Sequence, residues 1–164
     1  RAALAHSGHL FAYACATQGL ERPCKLARVA LEDHARKARW QYGSGDGRWS
    51  SDVAAATAVF LGNNIMSVQH NAYLGRWLAV YSEPLGTRIV MRTAPAPEGP
   101  WSVAVAIGEA LPSFDDLGWV YDALAHAELD QDGGRFVHVS YTRQTQAGER
   151  ELRLWRVELE RVSR

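Results

Sequence analysis

The chain has 164 residues, is 47% apolar and carries 18 basic against 18 acidic side chains, for a formal net charge of zero. That is enough apolar material for one core, and a chain without net charge lacks the electrostatic footprint of a general nucleic-acid binder. No apolar run approaches the roughly 18 residues needed for a helix to cross a bilayer, so no transmembrane segment is expected.

The first residue is Arg1, and no charged-then-apolar leader precedes the first apolar run. Either processing removed a leader or the chain is an excerpt. In chain order, residues 3–6 (ALAH), 10–15 (LFAYAC) and 24–31 (CKLARVAL) read as three successive strands, the second introduced by Gly8. Cys15 and Cys24 flank the loop 16–23. A hairpin places such residues on neighbouring strands, where a disulfide closes the loop if the Cβ atoms approach to about 4 Å. Two buried thiols are the other reading. The expectation is the disulfide and, with it, an exported protein, extracytoplasmic or secreted.

Residues 32–39 (EDHARKAR) read as a solvated connection and 40–42 as an outer strand ended by 43–47 (GSGDG). Ser44, Asp46, Gly47 and Trp49 resemble the Asp-box turn of sialidases, but their spacing is too short and Asp46-Gly47 is read as a plain turn. Residues 51–61 suit a helix by their alanines and a strand by Val53, Val59 and Phe60; periodicity leaves both open. Residues 65–70 start a second set of strands, continued by 77–81 (WLAVY) after Leu74-Gly75 and by 88–93 after a loop at 82–87. Residues 104–118 read as a long connection, with Pro112 and Asp115-Asp116-Leu117-Gly118 as breakers. A third set follows: 119–127, a turn at 130–134 (DQDGG), 136–141 (FVHVSY), a loop at 142–149, and 151–159.

These sets share anchors. Gly8, Gly75 and Gly134 introduce the second strands, and Tyr13, Tyr81 and Tyr141 sit late in them. His6, His70 and His126 end the first strands, and Arg28, Arg92 and Arg156 mark the third strands at equal intervals. A self-similar unit of three or four strands is the signature of a propeller blade. The second and third strands are apolar at nearly every position, as sheets covered on both faces require. The fold expected is all-β, a partial β-propeller of about three blades from a five-bladed ring, with copies at approximately 1–50, 51–103 and 119–164. Three blades cannot close a ring of at least about four, so 1–164 reads as the C-terminal part of one domain whose N-terminal blades are missing partners. A ring completed by a second chain and a β-sandwich are the competing architectures.

Tyr73-Leu74-Gly75-Arg76-Trp77, Arg92-Thr93-Ala94-Pro95, Gly99-Pro100-Trp101-Ser102 and the pattern from Tyr121 to Tyr141 carry a family resemblance over nearly the whole chain. The chain resembles a bacterial exported family catalogued as a domain of unknown function and related to five-bladed propeller glycosidases. Some members of that family cleave D-arabinan, so the resemblance implies a glycoside hydrolase acting on a furanose-containing polysaccharide or oligosaccharide. Its catalytic carboxylates are expected in blades that precede this chain, and no catalytic residue is carried over. The chain alone is therefore expected to be inactive. A non-catalytic propeller that binds carbohydrate or protein is the second reading.

If strands alternate in direction, segments 61–64, 82–87, 115–121 and 142–149 share one mouth. That nominates Asn63, Asn64, Glu83, Trp119, Tyr121 and Asp122 as substrate-binding residues, with Trp119 and Tyr121 as sugar-stacking rings. Glycosidic cleavage needs two carboxyl groups roughly 5–10 Å apart, and Glu83 and Asp122 are the acids nominated, as auxiliary groups. The three histidines are read as bonding the backbone of the following turn, and the three arginines as inter-blade contacts. Asp130-x-Asp132-Gly133 starts like a calcium loop without the remaining ligands and is read as a turn. No cofactor and no metal ligands are assigned; the resemblance leaves room for a calcium ion in the propeller channel. Ser-His-Asp or Cys-His catalysis has no local support.

Overall fold

The computed structural model describes residues 2–114 and 118–161. Among these the chain forms three antiparallel sheets. The first holds β1 (Ala2–His6), β2 (His9–Cys15), β3 (Pro23–Ala30), β4 (Gln41–Gly43) and β5 (Trp49–Ser50) in that order, with β6 (Ala58–Leu61) beside β3. The second holds β7 (Ser67–Asn71), β8 (Arg76–Ser82), β9 (Arg88–Ala94) and β10 (Val105–Glu109), ordered β10-β9-β8-β7. The third is β11 (Tyr121–Ala125), β12 (Phe136–Gln146) and β13 (Glu149–Glu158).

The pleat explains the stacking. Successive side chains of β8 point to opposite faces. Trp77, Ala79 and Tyr81 pack with Phe11, Tyr13, Leu26 and Phe60 of the first sheet, while Leu78 and Val80 pack with Val137, Val139 and Tyr141 of the third. The second sheet is thus covered on both sides, and every position from Trp77 to Ser82 is buried. Burying a side chain such as Leu78 contributes about 1.5–3 kcal/mol. The first strands β1, β7 and β11 are edge strands of their sheets, and β7 contacts both others. Among the described residues, three antiparallel sheets with adjacent first strands and no closed barrel form an all-β partial propeller. The outer faces stay uncovered: Leu152 and Leu154 of β13 are 72% and 55% exposed, and the alanines Ala12, Ala14 and Ala27 line a hollow on the far side of the first sheet.

Cys15 and Cys24 stand opposite each other in the β2–β3 register and form a disulfide, with S–S 1.98 Å. Residues 51–61 split between the two readings left open: Val53–Ala55 is a single 3-10 turn, capped by the Asp52 carboxylate accepting from Ala54 N at 2.9 Å, and β6 follows. Because β6 pairs with β3 through Pro23, Cys24 and Lys25, the first sheet runs on to Leu61, past the division drawn at residue 50.

The reading of 104–118 as a connection is corrected. Val105–Glu109 is the fourth strand of the second sheet. An exposed edge strand interrupted by glycine carries little apolar pattern, yet Gly108 is there for packing, since a Cβ on it would lie 2.6 Å from Cζ3 of Trp155. Asp115, Asp116 and Leu117 lie outside the described residues. The loop placed at 142–149 shrinks in the same way. β12 and β13 continue their ladder to Gln146 and Glu149, supported by Arg143 donating to Glu151 at 2.8 Å.

Candidate functional site

The loops entering and leaving the strands at one end are knitted together. Asn63 Nδ2 donates to the Ser82 carbonyl at 2.8 Å, and its Oδ1 accepts from Asn64 N at 2.7 Å. Across the next gap, Val120 N donates to the Gly86 carbonyl at 3.1 Å. Residues 61–64, 82–87 and 118–120 are therefore neighbours at a shared end. Ser113 Oγ donates to the Trp119 carbonyl and holds that half-buried residue in place. The Arg150 guanidinium lies 6.0 Å from the centre of the Tyr121 ring, so that ring is engaged by a cation of the β12–β13 hairpin.

Two of the nominated residues have a particular local geometry. Asp122 has φ 60°, a left-handed conformation for a non-glycine residue, and sits where the β11–β12 register shifts between Tyr121 and Leu124. Such bulges re-aim side chains at strand ends. Glu83 makes a bidentate pair with Arg88, with both N–O distances 2.7 Å. That pairing pushes the Arg88 guanidinium above its ordinary value. A carboxylate held this way has both oxygens engaged as acceptors and its orientation fixed, which suits positioning and binding.

Glu83 also lines a cleft of about 250 Å³ between the first two sheets, together with Arg22, Leu61, Tyr81 and Arg92. Its outer wall is the loop closed by the disulfide, which contributes Leu20, Glu21 and Arg22. Tyr81 O–H donates to the Leu61 carbonyl at 2.9 Å and accepts from Arg92 Nε at 2.8 Å. Burial raises the Tyr81 phenol above its ordinary pKa, against the lowering effect of Arg92. Arg22, Tyr81 and Arg92 were missed as site residues. Arg92 and Tyr81 carried a signal as repeat anchors, but Arg92 was read as an inter-blade contact and Tyr81 was assigned no role.

At the opposite end the turn 130–135 docks on the second sheet. Asn71 Nδ2 donates to the Gly134 carbonyl at 2.7 Å, and Gln69 Nε2 donates to Asp130 Oδ2 at 2.9 Å. Burial raises the Asp130 carboxyl above its ordinary value, and its Oδ1, like the nearby His138 Nδ1, is buried without a partner. Asp132 begins a 3-10 turn with φ 52°. Among the described residues no group of three or more His, Cys, Asp or Glu side chains is placed to hold a metal ion.

Among the described residues none of the repeated histidine side chains bonds the backbone of the turn that follows it. His6 and His70 both set their rings edge-on to Trp77, with centroids 4.9 and 5.4 Å away. His126 instead pairs through Nε2 with Ser140 Oγ at 2.8 Å and through Nδ1 with Glu128 Oε1 at 3.1 Å. This Ser-His-Glu row is local geometry that the sequence did not reveal, because Ser140 comes from the next strand. Ser140 is only 5% exposed and lies in a middle strand between Leu124 and Leu154, where backbone N–H groups serve the ladder. A nucleophile needs access and donors for an oxyanion, so the row is structural. Of the repeated arginines only Arg92 crosses between sheets, reaching 5.8 Å from the Phe60 ring centre. Arg28 stacks on Trp49 and Arg156 on Phe136 within their own sheets.

Residues 1–148 match the family described as "Domain of unknown function (DUF4185)". No curated protein matches the chain. Among solved structures it is similar to one described as a "putative hydrolase" from Bacteroides ovatus ATCC 8483, with 16% identity and a TM-score of 0.62. The likeness covers 88% of this chain and 38% of that one. The chain thus spans well under half the length of that neighbour, and at this identity the likeness concerns the fold alone. With nine-tenths of its length matched, the chain belongs to the DUF4185 domain family.

Proposed function

We propose that this chain is the C-terminal, ligand-binding part of a secreted glycoside hydrolase-like β-propeller that acts on a furanose-containing polysaccharide such as arabinan. The observation that carries the reading is the loop end. Asn63, Glu83, Trp119, Tyr121 and Asp122 belong to segments gathered at one end of adjacent sheets, beside a cleft in which Arg22, Glu83 and Arg92 stand among Leu20, Leu61 and Pro84. Sugars are held by this mixture of ring faces and planar hydrogen-bonding groups. The disulfide supports export, and the hydrolase-like fold of a longer neighbour supports a larger whole.

The catalytic carboxyls belong to preceding blades in this reading, because both oxygens of Glu83 are already engaged by Arg88. The same observation favours a second reading, a non-catalytic propeller that binds carbohydrate or protein through this mouth. Release of reducing ends from arabinan and other glycans by the intact protein separates the two. The enzyme reading expects release by the intact protein and none by residues 1–164 alone. Binding without release by the intact protein supports the second reading. Turnover by residues 1–164 at the rate of the intact protein would overturn the placement of catalysis elsewhere.

A further inference from the structure

The geometry points to the cleft between the disulfide-closed loop and the second sheet as a subsite for an acidic sugar unit, its carboxylate held by Arg22 and Arg92. The inference deepens the proposed function and rests on the carbohydrate reading.

Arg22 and Arg92 are both half-buried and line one cleft of about 250 Å³. Neither belongs to any ion pair among the described residues. Arg22 Nη1 donates only to backbone, the Gly19 and Glu21 carbonyls at 3.2 and 2.9 Å. Arg92 spends Nε on the Tyr81 hydroxyl and Nη1 on the Ser102 carbonyl. Two guanidinium groups are thus partly withdrawn from water with neutral partners, which leaves their charge uncompensated. The cleft's own carboxylates do not supply the balance: Glu83 is taken by Arg88, and Glu21 is exposed on the rim.

An anion entering the cleft would supply that balance, and a planar carboxylate matches the guanidinium fork. The remaining walls, Leu20, Leu61, Pro84 and Ala104, suit the apolar face of a sugar rather than a bare inorganic ion. Both guanidiniums are held in place before any ligand arrives. Arg92 is fixed by Tyr81 and Ser102. Arg22 is fixed by its backbone, whose carbonyl accepts from Gly62 N at 2.9 Å, two residues from the disulfide at Cys24. Preorganisation of this kind lowers the cost of binding.

The test is calorimetric titration of the intact protein with an oligogalacturonate, a neutral arabino-oligosaccharide of equal length, and inorganic phosphate. The variants are Arg22→Gln and Arg92→Lys, each first checked for an unchanged melting transition. The oligogalacturonate is expected to bind at least tenfold more tightly than phosphate. Arg22→Gln, which leaves the sheet contacts in place, is expected to weaken it about tenfold or more, a larger factor than for the neutral oligosaccharide. Side-chain NMR signals of Arg22 and Arg92 are expected to shift on titration. Uronate affinity that ignores both substitutions, or phosphate binding as tight as the oligogalacturonate, would overturn the inference while a binding neutral oligosaccharide keeps the carbohydrate reading alive. Absence of binding by either oligosaccharide would remove both.

Discussion

Tyr13, Tyr81 and Tyr141 occupy the same place in three successive sheets, yet their hydroxyls do unequal work, and Tyr→Phe substitution separates them without disturbing ring packing. Tyr81 O–H serves two partners, the Leu61 carbonyl of the first sheet and the charged Arg92 Nε. Removing it leaves both unsatisfied, and a bond to a charged group is worth about 1.5–3 kcal/mol against about 1 for a neutral one, so Tyr81→Phe should cost about 2–4 kcal/mol. Tyr13, 1% exposed, makes one bond to the Pro97 carbonyl at 2.5 Å, and its loss should cost about 1–2 kcal/mol. Tyr141 accepts a long bond of 3.3 Å from Leu111 N, and Tyr141→Phe should cost under about 1 kcal/mol. Urea unfolding followed by tryptophan fluorescence reads these as midpoint shifts at constant slope. Melting temperatures should fall by roughly 2–4 °C for each kcal/mol in a chain of this size. A Tyr141→Phe loss equal to that of Tyr81→Phe, or a neutral Tyr81→Phe, would refute the claim that hydroxyl partners set the order.

Other outcomes follow from the same geometry. Reducing the Cys15–Cys24 disulfide, whose sequence separation is 9, should cost about 2–3 kcal/mol through the freed loop, measured by unfolding with and without reductant. Gly108→Ala places a methyl against the Trp155 ring and should cost about 1–3 kcal/mol, with a change in near-ultraviolet circular dichroism. Asp130 has its carboxyl raised by burial in the folded chain. The folded state therefore holds the proton more tightly than the unfolded one, and stability falls as pH rises from the ordinary carboxylate range through the raised value. Asp130→Asn removes that penalty, so the variant should gain on the wild type at neutral pH and not at pH 3; equal differences at both pH values would count against it.

The strands of the second sheet were legible because β8 is apolar at each position from Trp77 to Tyr81, a pattern that two-sided burial explains. β10 was not, since an edge strand with exposed Val105 and Ala106 and a glycine in its register shift gives no periodic signal. The pairing of β6 with β3 was hidden for another reason: it joins segments separated by two intervening strands, and nothing local encodes which edge a strand will choose. At the loop end, strand direction alone brought Asn63, Glu83 and Trp119 to neighbouring loops. The Glu83–Arg88 pair depends on rotamers across a hairpin, and the cleft depends on where the 16–22 loop falls, so neither had a sequence signature.

The pairing of β6 with β3 also bears on synthesis. All ladders of the first sheet lie within residues 2–61, so its hydrogen bonding needs nothing from Ser67 onward and is free to close before that residue leaves the ribosome. Its inner face is not, because Phe11, Tyr13, Leu26 and Phe60 wait for Trp77 and Tyr81. During that interval the nascent chain displays a greasy, fully zipped sheet, the state in which a holdase would find it and a neighbouring polysome could capture it.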